Sequence, residues 1–142
     1  MLINANALSI PLADKSVHLV VTSPPYYGLR DYQIDGQIGL EQTPEEYVNN
    51  LVAVFREVRR VLADDGIVYL NLGDSYAGSG CGTNDYRTEA SRSINKSDVM
   101  FTKKPPQQKL GQYGYKPKDL LGIPWMVAFA LRADGWYLRD DI

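Results

Sequence analysis

Val17-His18-Leu19-Val20-Val21-Thr22, followed at once by Ser23-Pro24-Pro25-Tyr26, is the stretch on which the fold turns. The first six residues are almost continuously apolar and rich in β-branched side chains. That is the pattern of a strand buried on both faces of a parallel sheet. Pro24 and Pro25 end it, because each fixes φ, removes an N–H donor and biases its predecessor away from helix. Downstream, Thr43 is a good N-cap, Pro44 suits the first helical position and Glu46 completes a capping box. Tyr47, Leu51, Val54, Phe55, Val58 and Leu62 then recur on one helical face, and Arg59 and Arg60 favour the C-terminal end of the dipole. The pattern predicts a helix over about 44–62. Ile67-Val68-Tyr69-Leu70-Asn71-Leu72 reads as a second buried strand. Strand, helix and strand form a right-handed crossover, so the chain is α/β with a mainly parallel sheet.

Working outward, residues 73–118 are polar, rich in Gly, Ser, Asn and Lys, and without a sustained period. A stretch of this length inside a domain is usually functional or disordered. Regular structure is expected again near Asp119, with a helix over about 124–133 that Pro124 can start but not interrupt. Trp125, Ala128, Phe129 and Arg132 share one face of it, Arg132 by snorkelling. Gly135 stops the helix. Trp136-Tyr137-Leu138-Arg139-Asp140-Asp141-Ile142 reads as a third strand, and the 142 residues stop inside it.

The net charge of −2 hides an asymmetry. Residues 1–86 hold 5 Lys/Arg and 11 Asp/Glu, residues 87–118 hold 8 and 2, and residues 119–142 hold 2 and 4. A polyanion meets the basic middle, with Lys103 and Lys104 adjacent in it, rather than the average. A solvated loop kept soluble by its lysines accounts for the same charges. One cysteine, Cys81, excludes an internal disulfide, and one histidine beside it cannot furnish a zinc site. No run of about 18 apolar residues predicts a membrane span. The N-terminus lacks a signal-peptide pattern, so a cytoplasmic location is expected.

Open α/β sheets bind ligands at the carboxyl ends of their strands. Ser23-Pro24-Pro25-Tyr26 at such an end is stiff and extended, offering carbonyl and hydroxyl acceptors and a flat ring. That set suits an aromatic amine. Two acceptors, Ser23 Oγ and the Pro24 carbonyl, would take the two amino hydrogens and localise the nitrogen lone pair. Tyr26 would stack on a base flipped from the duplex. A Pro-Pro turn with Tyr26 filling a core edge remains the alternative.

Thr22-Ser23-Pro24-Pro25-Tyr26 resembles the catalytic motif of the DNA amino-methyltransferases. Leu8-Ser9-Ile10-Pro11-Leu12-Ala13-Asp14-Lys15-Ser16-Val17 is similar to the family's lead-in to that strand. Further matches are Gly28-Leu29-Arg30-Asp31-Tyr32, Gln37-Ile38-Gly39-Leu40-Glu41 and Thr43-Pro44-Glu45-Glu46-Tyr47. They continue with Leu70-Asn71-Leu72-Gly73-Asp74-Ser75-Tyr76, Lys116-Pro117-Lys118-Asp119-Leu120-Leu121-Gly122-Ile123-Pro124-Trp125 and Gly135-Trp136-Tyr137-Leu138-Arg139. The ordered set is specific where the short motif alone is only moderately so. The resemblance implies a Rossmann-like sheet, S-adenosylmethionine as methyl donor and a base amino group in DNA as target. It also implies a pocket of Ser23, Pro24, Pro25 and Tyr26. A serine before Pro-Pro leans towards cytosine N4 over adenine N6.

Two departures qualify the resemblance. Ala5-Asn6 stands where the family often has Gly-Asp, so Asn6 keeps an acceptor for the cofactor but loses the charge. The family's glycine-rich cofactor motif, expected later in the order, is absent. These residues are therefore expected to form the catalytic-motif half of a methyltransferase domain, inactive alone. The partners expected are DNA and either the missing C-terminal half or a second copy on an open sheet edge. A non-catalytic remnant or DNA-binding module is the competing reading. Gly78-Ser79-Gly80-Cys81-Gly82-Thr83 imitates a cofactor loop but neither follows its strand directly nor opens a helix. Cys81 has no prolyl neighbour, which argues against nucleophilic attack at cytosine carbon. His18 is expected to be a packed strand residue, and Asp74 either a turn or cap residue or a substrate contact.

Overall fold

A computed structural model describes residues 2–77 and 110–142. Two strands, β1 (Val17–Thr22) and β2 (Leu62–Leu70), pair in parallel, joined by the helix α1 (Pro44–Val61). A second helix, α2 (Ile123–Ala133), packs on α1. A single 3-10 turn at Leu110–Tyr113 precedes it. The parallel strand–helix–strand order is the one the alternation of patterns predicts, and α1 starts where its cap signals place it. Thr43 Oγ1 accepts from the Glu46 N–H at 3.2 Å. Glu46 returns its carboxylate to the N–H of Gln42 (3.0 Å), one residue before the cap. The second strand begins five residues earlier than its apolar run, because Leu62 already pairs with Val17. A register irregularity between Val17 and Leu19 then takes up the extra residues before Leu19 meets Ile67.

Tyr47, Leu51, Phe55 and Val58 of α1 are buried with Tyr27, Ile123 and Val127. Val20, Val68 and Leu70 of the sheet pack against them. The other sheet face differs from expectation. Leu19, Val21, Ile67 and Tyr69 are all more than half exposed, so the strands are not buried on both faces among the described residues. Continuous apolar patterning says that both faces suit burial, while a neighbouring layer decides whether they get it. His18 likewise is exposed rather than packed.

Two further expectations are corrected. Residues 136–142 form no strand, since a strand needs a ladder partner and none of the described residues supplies one. Trp136 instead donates its N–H to the Leu131 carbonyl (3.1 Å) and turns its ring edge-on to Phe55, with centroids 6.2 Å apart. The face of α2 carrying Trp125 and Phe129 is half exposed, with the Arg132 guanidinium over the Phe129 ring at 5.0 Å. The core takes the opposite face, through Ile123 and Val127. The described ends of the polar stretch after β2 are tied by main-chain bonds between Ala77 and both Lys118 and Asp119. Tyr76 bridges Leu120, and the N–H of Leu121 reaches the Ser75 carbonyl at 2.9 Å. Lys103, Lys104, Cys81 and the Gly78–Thr83 run lie outside the described residues.

Asp74 resolves as a cap acting across the chain. Gly122 at the start of α2 has no side chain to cap it, and Asp74 supplies the missing acceptors. Its Oδ2 accepts from Gly122 N–H and its Oδ1 from Ile123 N–H, both at 3.0 Å. Charged fasteners hold the rest. Arg56 and Arg59 bind Asp134 at the end of α2. Arg60 binds Asp14, Glu57 and the carbonyls of Leu12 (3.1 Å) and Ile10 (2.8 Å). It thereby pins the lead-in to β1 against α1. Among the described residues no helix is long and apolar enough to cross a membrane.

Replacing Asp74 by Ala should lower stability by roughly 1–2 kcal/mol, the usual cost of a lost N-cap. An unchanged urea midpoint would show that water caps α2 equally well. A pH prediction follows from Tyr115, whose hydroxyl donates to Glu45 at 2.7 Å. That bond, opposed by burial, holds the Glu45 carboxyl below its usual 4.5. Burial, then Glu45, pushes the Tyr115 phenol up from 10.0 to about 12. The lowered carboxyl stabilises above 4.5 and loses its effect as pH falls through its folded value. The raised phenol stabilises fully below 10.0 and loses its effect as pH rises through about 12. The stability difference between wild type and Tyr115→Phe should therefore be flat from 4.5 to 10.0 and shrink on both sides. Chemical denaturation across that range measures it.

Candidate functional site

Ser23, Pro24, Pro25 and Tyr26 leave the carboxyl end of β1 and line one cavity of about 310 Å3 together with Leu29, Arg30 and Tyr32. The strand is still paired at its exit, where the Asn71 N–H reaches the Thr22 carbonyl at 2.9 Å. Ser23 is exposed, and its hydroxyl donates to the Tyr26 hydroxyl at 3.3 Å. Its oxygen lone pairs remain able to accept. The two prolyl carbonyls are not equivalent. That of Pro25 accepts from the Tyr47 hydroxyl at 2.8 Å. Among the described residues no donor reaches that of Pro24.

Three neighbours fix this geometry. Tyr47 is fully buried on α1. Burial, reinforced by Glu41, raises its phenol well above the ordinary range, so it stays a donor to Pro25. Gly73, just beyond β2, lies directly under the Tyr26 ring. A Cβ built there would stand 2.8 Å from Cδ2 and Cε2 of that ring. Gly39, at φ +107°, brings backbone against the Tyr26 carbonyl, where a Cβ would meet it at 3.0 Å. Behind them, Ser75 donates to the Tyr27 carbonyl at 2.6 Å. Tyr27 is itself fully buried, and burial and then Glu41 push its phenol upward.

A second cavity, of about 390 Å3, lies between the N-terminal segment, β1 and α1. Asn6, Ile10, Thr22, Val54 and Phe55 are among its lining residues. Pro24 lines both cavities and so forms the wall between them. Asn6 has its Oδ1 occupied by the N–H of Leu8 at 2.9 Å. The structure thus brings Ser23, Pro24, Pro25 and Tyr26 into one pocket and places Asn6 on the adjoining one. Asp74 serves as a cap.

The sequence reading missed Tyr47, Gly73, Gly39, Arg30 and Tyr32 as site neighbours. Tyr47 carried a usable signal, because a tyrosine on a buried helical face needs a partner for its hydroxyl. Gly73 carried another, because glycine at a strand end often marks a close approach. Nothing in local sequence points Arg30 or Tyr32 at the pocket, since a loop fold places them there.

The sequence matches the DNA methylase family over residues 17–142. The Type II methyltransferase M.Cfr9I of Citrobacter freundii is 46% identical over 143 residues, which is 99% of this chain and 44% of that protein. M.XycI of Xanthomonas campestris pv. cyanopsidis is 50% identical over 131 residues, 92% of this chain and 40% of that protein. M.SmaI of Serratia marcescens is 50% identical over 123 residues, 87% and 39% respectively. The chain spans less than half the length of these relatives. No solved structure matches it. By the extent of the family match and by the identity to these enzymes, the chain belongs to the DNA methylase family, the N6/N4 amino-methyltransferases.

Proposed function

We propose that these 142 residues are the catalytic-motif part of a DNA amino-methyltransferase that methylates an exocyclic base amino group, with cytosine N4 favoured over adenine N6. The observation that carries the reading is the contrast between the two prolyl carbonyls beside Ser23 and Tyr26. Pro25 is occupied by Tyr47, while among the described residues no donor reaches the Pro24 carbonyl, so it and Ser23 Oγ can both accept on one cavity. They accept the two amino hydrogens of a flipped base, and the nitrogen lone pair is drawn out of the ring. Tyr26, with Gly73 behind it, offers its other face for stacking. The proton displaced by methylation leaves to water past the exposed Ser23. The lean to cytosine rests on the Thr22-Ser23-Pro24-Pro25-Tyr26 form of the motif.

S-adenosylmethionine, the family's methyl donor, supplies an electrophilic methyl group on a sulfonium. The cavity across Pro24 fits the apolar part of such a group, with Ile10, Val54 and Phe55 on its walls and Asn6 and Thr22 as polar neighbours. No charged side chain lines it among the described residues. In this reading the glycine-rich cofactor motif lies outside these 142 residues, and the full sheet is Rossmann-like. Lys103 and Lys104 add phosphate contacts from the basic middle of the chain.

The test is methyl transfer from radiolabelled S-adenosylmethionine to DNA, by the chain alone and with the C-terminal portion of M.Cfr9I added in trans. Transfer is expected only in the mixture, with N4-methylcytosine in the digested DNA. N6-methyladenine as sole product overturns the base assignment. No transfer in either arm favours the non-catalytic reading. In the active mixture, Ser23→Ala should lower kcat more than cofactor affinity. Tyr26→Ala should lose stacking worth roughly 1–3 kcal/mol. Gly73→Ala, by displacing the Tyr26 ring, should reproduce part of the Tyr26→Ala loss. Wild-type kinetics for Gly73→Ala would show that the ring has room to shift. Tyr47→Phe should destabilise the chain by about 1 kcal/mol, because the Pro25 carbonyl loses its donor.

A further inference from the structure

We propose that the Tyr26 hydroxyl makes the Ser23–Tyr26 cavity selective for an amino base over its oxo counterpart, by taking the Ser23 hydroxyl proton. The inference rests on the reading of that cavity as a base pocket. Cytosine and uracil differ at ring position 4, where one carries an amino group that donates and the other a carbonyl that accepts. Adenine and hypoxanthine differ in the same way at position 6. The Pro24 carbonyl can only accept. A serine hydroxyl can do either, because it has one proton and two lone pairs. Left free to rotate, Ser23 would donate to an oxo group as readily as it accepts from an amine. Its proton is instead directed at the Tyr26 hydroxyl oxygen, 3.3 Å away. With the proton so placed, Ser23 offers a base only lone pairs and meets an oxo group oxygen to oxygen, which penalises the wrong ligand rather than adding a contact to the right one.

The bond is held from both ends. Ser23 and Tyr26 are separated only by Pro24 and Pro25, whose rings fix φ, so the backbone between the two hydroxyls has little freedom. The Pro25 carbonyl is tied to Tyr47 at 2.8 Å. The Tyr26 ring rests on Gly73, where a Cβ would stand 2.8 Å from Cδ2 and Cε2. Gly39 closes against the Tyr26 carbonyl, where a Cβ would meet it at 3.0 Å. Ser23 and Tyr26 both line the cavity, so both ends of the bond belong to its wall. Ser23 is exposed, so water competes for its proton until a base enters. A base that displaces this water leaves the Tyr26 oxygen as the acceptor.

Fluorescence anisotropy tests this without cofactor or turnover. The probe is a labelled single strand of abasic residues with one central cytosine, uracil, adenine or hypoxanthine, or with no base. The wild-type chain should bind the cytosine or the adenine strand more tightly than its oxo counterpart. Tyr26→Phe keeps the ring for stacking and removes the acceptor. It should lower the amino-to-oxo affinity ratio about fivefold, the equivalent of one neutral hydrogen bond, mainly through tighter binding of the oxo strand. A lost structural contact would weaken both strands alike and leave the ratio where it was. In a Ser23→Asp background the same change should move the ratio no further, because a carboxylate has no proton to direct. A ratio retained by Tyr26→Phe, or an equal fall in the Ser23→Asp background, overturns the inference. So does a wild-type chain that holds bases over the abasic strand without preferring the amino member. If Tyr26→Phe retains the ratio while Ser23→Ala abolishes it, the base pocket stands and only the role of the hydroxyl falls. Equal binding of every strand by the wild-type chain overturns both.

Discussion

The hydrogen bond from the Tyr47 hydroxyl to the Pro25 carbonyl joins the two halves of this architecture. Tyr47 belongs to the first turn of α1, whose apolar face is the centre of the core. Pro25 belongs to the segment that leaves the sheet. A Pro-Pro pair has no N–H groups to anchor it in a ladder, so its position has to be set from outside. Tyr47 does this from a fully buried site, and its hydroxyl is kept protonated by the same burial. Occupying one carbonyl has a chemical consequence. It breaks the symmetry of the two prolines, since among the described residues no donor reaches the Pro24 carbonyl.

The same logic of external support recurs around the site. Gly73, just beyond β2, allows the Tyr26 ring to lie on backbone, and Gly39 allows the loop to close against Pro25. Asp74, one residue further, reaches across to cap α2. The loop after β2 therefore carries the backing of the Tyr26 ring and the fastening of the second helix in adjacent residues. Disturbing one is expected to be felt by the other, since neighbouring positions sharing backbone rarely act independently.

The charged residues that matter for the fold are fasteners rather than catalysts. Arg60 gathers the β1 lead-in against α1, and Arg56 and Arg59 hold the end of α2. Exposed ion pairs of this kind contribute little stability individually. Their value here is positional, because several of the bonds go to main-chain carbonyls and fix where a segment runs. The cavity on the far side of Pro24 depends on that placement, since its outer wall is the segment Arg60 holds.

The sequence alone determined the crossover unit, the bounds of α1 and α2 to within a residue, and the segment that ends at Tyr26. These follow from local periodicity, caps and prolines, which act over a few residues and are legible along the chain. It did not determine which faces would be covered. Leu19, Val21, Ile67 and Tyr69 carry apolar patterning yet stand exposed, and Trp136 to Ile142 carries strand patterning yet pairs with no strand. Burial and pairing depend on a neighbouring layer or ladder, which no local pattern supplies. The motif marked Ser23, Pro24, Pro25 and Tyr26 as candidate site residues, and they line one cavity. Only the tertiary structure decided which carbonyl stays open, because that depends on a tyrosine 22 residues away in sequence and 2.8 Å away in space.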